Sequence, residues 1–103
     1  MAYEVEWADS ALAGLTESVD YIAKDSLGYA AALALRADQA AMTLREFPSR
    51  GRRVREYRDP AIRELIVARR YRLIYQVSSE TVIIIAFVHT SRDLATYVED
   101  TIM

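Results

Sequence analysis

Polar and apolar positions alternate strictly at the start of the chain. Residues 3–7, Tyr-Glu-Val-Glu-Trp, have a period of two, which predicts a short half-buried strand. Asp9 or Ser10 then offers a helix N-cap, and Leu12, Leu15, Val19 and Ile22 recur at spacings of three and four. That stripe predicts an amphipathic helix ending near Lys24. Asp25-Ser-Leu-Gly28 interrupts it, and Ser26 can cap a second helix whose stripe runs Tyr29, Leu33, Ala37, Ala40, Leu44, Phe47. So short a connection makes the two helices antiparallel neighbours. Seven alanines in the second helix favour helix formation and permit close packing. Pro48 is expected to stop that helix, and Ser49-Arg-Gly51 to form the crossing loop.

The period returns to two beyond Asp59-Pro60. Residues 62–68, 71–77 and 81–88 read as three strands, joined by turns near 68–70 and 78–80 that permit only antiparallel hairpins. Val54 is a candidate for a short edge segment. In the middle strand Tyr71, Leu73, Tyr75 and Val77 share one face, and Arg72, Ile74 and Gln76 the other. Residues 82–88 are apolar throughout, which places that strand in the interior of the sheet with both faces covered. A short closing helix is expected over residues 92–102. The expected fold class is α+β: an N-terminal strand and a helical hairpin packed on one face of a mostly antiparallel sheet, with a three-strand meander. The opposite sheet face is expected to be partly open. A length of 103 residues fits one domain spanning the chain.

Composition removes several chemistries. With no cysteine and one histidine, the chain has no thiol nucleophile, no disulfide, and neither a sulfur-based nor a multi-histidine metal centre. No cofactor is expected. The acidic N-terminus does not resemble an export signal and the longest apolar run is far too short for a membrane span, so the cytoplasm is the expected compartment. The net charge of −2 conceals a partition. Residues 50–72 hold nine arginines and three acids (Glu56, Asp59, Glu64), a balance of +6, against −8 elsewhere. Such a patch can be a solvated strand face, or a surface for phosphate or for an acidic partner.

Three segments together, Arg63-Glu-Leu-Ile-Val67, Tyr71-Arg-Leu-Ile-Tyr75 and Val88-His-Thr-Ser-Arg-Asp-Leu94, resemble the RelE/ParE superfamily of bacterial toxins. The Pro-x-x-Gly-Arg stretch at residues 48–52 and the opening helical hairpin match the same pattern, so the resemblance spans essentially the whole chain. It implies the toxic half of a type II toxin–antitoxin pair. RelE-like members are ribosome-dependent endoribonucleases that cut messenger RNA. ParE-like members share the fold but poison DNA gyrase without catalysis. The resemblance also implies a partner, a short acidic ParD-like antitoxin that folds on the toxin.

A ribonuclease must orient the 2′-hydroxyl, stabilise charge on the phosphoryl oxygens and protonate the leaving oxygen. By the resemblance, Arg72 is the candidate phosphate ligand, His89 the acid or base, and Glu56 a partner base. The chain departs from that pattern after its last strand: Thr90-Ser91 stand where the ribonucleases usually carry a tyrosine or further basic residues, and Tyr97 comes several positions later. With one lysine and a sequence pI ≈ 5.4, the chain is poorly suited to general RNA binding. The Val88-to-Leu94 motif looks closer to the ParE side. The reading is therefore a ParE-like gyrase poison, with a RelE-like ribonuclease as one alternative and an inactive homologue acting only as an antitoxin-bound co-repressor as another. Residues expected at the antitoxin or the target are Arg50, Arg52, Arg53, Arg69, Arg70, Arg72, His89 and Arg92. Structural roles compete for several of them. Arg72 can pair with Glu64 across the hairpin for ~0.2–1 kcal/mol, His89 can be a hydrogen-bonded strand end, and Arg92 with Asp93 can pin the final segment. Arg69 and Arg70 can be exposed turn residues, and Tyr71 and Tyr75 core residues.

Overall fold

The computed structural model describes residues 2–92 of the chain. Its elements are β1 (Glu4–Trp7), α1 (Asp9–Ala23), α2 (Leu27–Thr43), β2 (Arg52–Arg53), β3 (Ile62–Val67), β4 (Tyr71–Val77) and β5 (Thr81–His89). The five strands form one sheet in the order β1-β5-β4-β3-β2. All neighbours are antiparallel except β1 and β5, which run parallel, with Glu4 opposite Thr81 and Trp7 opposite Ile84. The intervening helical hairpin acts as the long crossover that a parallel pair requires. The strand that is apolar on both faces, β5, lies between β1 and β4, inside the sheet as expected.

Both helices lie on the sheet face presented by Tyr71, Leu73, Tyr75, Val82, Ile84 and Phe87. Against these pack Ala11 of α1 and Leu33, Ala37 and Ala41 of α2, with Leu44 at its end. The second helix is rotated slightly from the expected stripe. Ala30 and Ala41 are buried, whereas Tyr29 is 75% and Phe47 62% exposed. Close contact selects alanine where a larger side chain would hold the helices apart. The stripe of α1 is also incomplete, because Leu12 remains largely exposed. The helix ends at Thr43 and its last turn tightens through the Leu44 amide bonding to Ala41 and Met42, so Pro48 follows the stop rather than causing it.

The start of α1 differs from expectation in an informative way. Ala8 is the N-cap and no side chain caps the helix. Ser10 instead donates through Oγ to the carbonyl of Ile85 at 2.8 Å, and the Ala8 amide donates to Ile84 O at 2.8 Å. Ile85 is the extra residue of a β-bulge: Ile74 pairs with Ala86, but Tyr75 pairs with Ile84. A bulge frees a carbonyl from the ladder, and Ser10 satisfies it. Gly14, one turn later, permits the closest approach of helix to strand, since a Cβ there would lie 2.3 Å from Phe87 O. At the second cap the expectation holds, with Ser26 Oγ accepting from the Tyr29 amide at 3.1 Å.

The other sheet face carries a smaller apolar cluster of Val54, Ile62, Ile74, Ala86 and Val88, with Tyr57 packed against it. It is therefore partly covered, by the irregular segment at 54–61, while Ile66 stays 44% exposed. Among the described residues, no helix is long and apolar enough to cross a membrane, and no group of three or more His, Cys, Asp and Glu could hold a metal ion. Most of the closing helix expected over 92–102, and Tyr97, lie outside the described residues.

Candidate functional site

Strand alternation divides the candidate residues between the two faces of the sheet. Arg72 lies on the face away from the helices. Its register partner is Ile66, and Glu64 stands one pleat further along β3, opposite Ile74. Glu64 is only 3% exposed and carries an arginine on each oxygen: Arg72 Nε on Oε1 at 2.6 Å, and Arg52 Nε on Oε2 at 2.7 Å. Arg52 reaches it because β2 places it directly opposite Glu64. A buried carboxylate is tolerated only when paired and hydrogen-bonded, and this one has both.

The outward edge of the Arg72 guanidinium is taken up by Glu56. Nη1 donates to Oε2 at 3.1 Å and Nη2 to Oε1 at 3.0 Å, a fork-to-fork pair. All three nitrogens of Arg72 thus hold carboxylate oxygens, and Arg52, Arg72, Glu56 and Glu64 sum to zero charge. The bonds from Glu56, then those from Glu64, raise the Arg72 pKa above its ordinary high value, against the opposing effect of partial burial. Reciprocally, the Arg72 bonds hold the Glu56 carboxyl below its ordinary 4.5. Glu56 is therefore an anion engaged by a cation, not a base waiting for a proton. The pairing of Arg72 with Glu64 foreseen across the hairpin is present.

The Pro48-x-x-Gly51-Arg52 stretch acquires a structural reason. The Gly51 amide donates to the hydroxyl of the fully buried Tyr75 at 2.9 Å, and Arg63 Nη1 donates to Gly51 O at 2.8 Å. A Cβ on Gly51 would lie 2.6 Å from both Glu64 O and the Tyr75 hydroxyl, so only glycine lets the loop seat here. Burial pushes the Tyr75 phenol above its ordinary 10.0, and it remains a neutral acceptor. Arg50 donates to Thr43 Oγ1 at 2.7 Å and Arg53 to Arg58 O at 3.2 Å. Much of the basic stretch is consequently bonded to its own chain.

His89 lies on the helix-bearing face, because it pairs with Tyr71 across β4 and β5 and Arg72 is the next residue along. The ring meets Tyr71 edge-on at 5.3 Å. Its Nδ1 accepts the Ser91 amide at 3.0 Å and lies 2.7 Å from Ser91 Oγ, while Arg92 N donates to His89 O. The structure therefore brings Arg72 and Glu56 together and leaves His89 on the far side of the sheet.

A groove of about 910 Å³ runs between the helical hairpin and the sheet end that holds His89. Its floor includes Ile22, Leu33 and Tyr71; Tyr21 and Tyr29 stand at its sides, 71% and 75% exposed. Glu17 and Asp25 line it from the α1 side, and Arg36 and Arg70 from the other. The Ala68-Arg69-Arg70 turn closes that end, with Ala68 and Arg69 at φ 52 and 66 and the Arg70 carbonyl accepting from the Thr90 amide at 2.7 Å. The sequence stripe of the second helix places Tyr29 in the core, whereas Tyr21 and Arg36 lie off both apolar stripes. The exposed aromatic at each end of the helix–helix connection was the available signal.

Two helices on one face of this five-strand sheet, with an arginine–glutamate cluster on the other, make up the architecture that the RelE/ParE resemblance implies. The model of the ParE toxin of type II toxin–antitoxin system, parDE, matches residues 5–94, and the chain belongs to that family. A relative from Caulobacter vibrioides named Toxin RelE2 is 38% identical over 89 residues, covering 86% of this chain and 97% of the relative. A solved structure described as the chromosomal ParDE TA system from P. aeruginosa superposes with a TM-score of 0.69 at 18% identity, covering 85% of this chain and 96% of the other, which bears on the fold. The chain is a type II toxin of the RelE/ParE superfamily, and that class implies a protein antitoxin as partner.

Proposed function

We propose that this toxin acts as ParE-like members do, by binding and poisoning DNA gyrase in the cytoplasm, and that a cognate ParD-like antitoxin neutralises it. One observation carries the reading: the groups a ribonuclease would combine lie on opposite faces of the sheet, with Arg72 saturated by Glu56 and Glu64. General acid–base cleavage needs its acid, base and phosphate ligand within about one hydrogen bond of the same phosphodiester. In this arrangement His89 and Arg72 project from opposite faces and do not share one site.

The antitoxin is assigned to the groove between the helical hairpin and the sheet. Its apolar floor and exposed tyrosines suit the anchors of a folding-on-binding segment, and Arg36 and Arg70 suit carboxylates placed beside them. Arg69 and Arg70 then belong to the antitoxin side. Arg53, exposed on the edge strand β2 at the far end of the sheet from β1, is the candidate for the target, while Arg52 is engaged by Glu64. Synthesis of the toxin without its antitoxin is expected to arrest growth with DNA-damage signalling while protein synthesis continues at first. Immediate translation arrest without that signalling contradicts the proposal.

A RelE-like ribonuclease is the second reading, supported by the name of the Caulobacter relative. Primer extension in a translating extract separates the two. The ParE-like reading expects intact message, whereas A-site cuts abolished by Arg72→Ala would establish the ribonuclease. Unimpaired growth on synthesis of toxin alone would favour the inactive co-repressor.

A further inference from the structure

We propose that the outer face of α2 joins two copies of this chain in a symmetric dimer, with the exposed Leu27 of each seated in a shallow pocket of the other. The inference is independent of whether the target is gyrase or RNA.

The pattern along α2 is the first observation. Leu27, Ala31, Leu35 and Met42 follow one another at spacings of four, four and seven, which puts them on one face of the helix. The face buried on the sheet is a different one, made of Ala30, Leu33, Ala37 and Ala41. Leu27 is 78%, Leu35 57% and Met42 48% exposed. None of the four lines the groove between the hairpin and the sheet, so the row is separate from the surface assigned to the antitoxin. Single exposed apolar side chains need no partner, but a continuous row of them on one helix face marks a contact surface.

Shape is the second observation. A shallow pocket of about 570 Å³ lies at the C-terminal end of α2, bordered by Asp38, Met42, Thr43, Arg45, Glu46 and the exposed Phe47. Leu27, at the other end of the same helix, is the most exposed large apolar side chain among the described residues. Over 17 residues the helix separates knob from pocket by about 25 Å. Two copies set antiparallel about a two-fold axis at Leu35 bring each Leu27 to the other's pocket at once, with Leu35 meeting Leu35. Such an isologous contact fills both pockets and closes at two copies, whereas a parallel pair leaves both pockets empty.

Charge selects a second copy as the occupant. Lys24 and Asp25 adjoin the Leu27 end, Arg45 and Glu46 border the pocket, and all four are exposed. Each end is neutral in sum, so a strongly acidic or basic partner gains nothing there. The register centred on Leu35 sets Lys24 against Glu46 and Asp25 against Arg45, at both ends of the pair. Asp38, the one charge within the row, then lies beside the small side chain of the other copy's Ala31 and meets no like charge. A face one helix wide falls at the small end of specific interfaces, under roughly 1,200 Å² in total, so the dimer forms at about micromolar concentration.

Sedimentation equilibrium on the full-length chain, free of antitoxin, tests the proposal. Between about 1 and 300 µM, wild type should pass from monomer to dimer and no further. Leu35→Glu, which sets like charges together on the axis, and Leu27→Ala, which empties both pockets, should each weaken the dimer about ten-fold or more. Paired reversals fix the register. Lys24→Glu with Asp25→Lys should weaken self-association, as should Arg45→Glu with Glu46→Lys. An equimolar mixture of these two variants should restore it, because each end then faces its complement. An unchanged dimer in Leu35→Glu, or no recovery on mixing, overturns the proposal, and so does a wild type that stays monomeric throughout. Calorimetric titration with antitoxin names the other occupant: a monomeric wild type whose antitoxin affinity Leu35→Glu reduces would assign the face to the antitoxin instead.

Discussion

Arg72, Glu64 and Glu56 are linked so closely that each substitution tests the others. Arg72→Ala leaves the buried Glu64 with Arg52 alone and should cost roughly 3 kcal/mol, the range for breaking a buried pair, measured by urea denaturation. A loss under about 1 kcal/mol would mean that Glu64 is more hydrated than its 3% exposure indicates. Glu56 gives the matching pH dependence. Its folded pKa lies below the ordinary 4.5, so the unfolded state binds the proton first as pH falls. The stabilisation is complete well above 4.5 and is lost as pH drops through the lowered folded value. Glu56→Gln should therefore lower stability at neutral pH and flatten the acid limb, the variant and wild type converging as pH falls through the lowered folded value. Tyr75→Phe removes the acceptor of the Gly51 amide and should cost about 1–3 kcal/mol, since a buried donor is left unpaired.

Packing of α1 on β5 depends on a glycine and a serine that act on consecutive irregularities. Ser10 satisfies the bulge carbonyl and Gly14 lets the helix axis approach the strand until only hydrogen fits beneath it. Gly14→Ala gains helix propensity of about 1 kcal/mol, yet it forces a methyl onto the Phe87 carbonyl at 2.3 Å. Displacing backbone costs more than that gain, so the variant should melt lower than wild type by thermal denaturation; a higher Tm would show that the helix can lift away cheaply. The elements themselves are largely readable from the sequence, because β3, β4 and β5 are short apolar-rich runs joined by turns too short for crossovers. The faces of α2 were read less well. Alanine carries little hydrophobic signal, so the buried Ala30 and Ala41 are outweighed by Tyr29, whose ring remains exposed, while Phe47 lies beyond the end of the helix. Local spacing makes Ser10 a cap candidate, and cannot reveal a carbonyl freed 75 residues later.

The whole molecule separates its chemistry onto two surfaces, and this division was hidden in the one-dimensional charge pattern. A run of nine arginines suggested a single docking patch. In the fold, Arg52, Arg63 and Arg72 are spent on Glu64, Gly51 and Glu56, while Arg70 joins Arg36 beside the groove. The pairing of β1 with β5, the burial of Glu64 and the groove all arise from contacts between segments distant in the chain, which spacing along it cannot report. If the groove receives the antitoxin, reversing charge with Arg36→Glu and Arg70→Glu should weaken antitoxin binding by ten-fold or more, measured by calorimetry, with the toxin still folded. Unchanged affinity would move the antitoxin elsewhere.

Plasmid supercoiling by purified gyrase tests the central claim most directly. Micromolar toxin, free of antitoxin, should inhibit supercoiling, and stoichiometric antitoxin should restore it. Full supercoiling at that toxin concentration, from a folded sample, contradicts gyrase as the target.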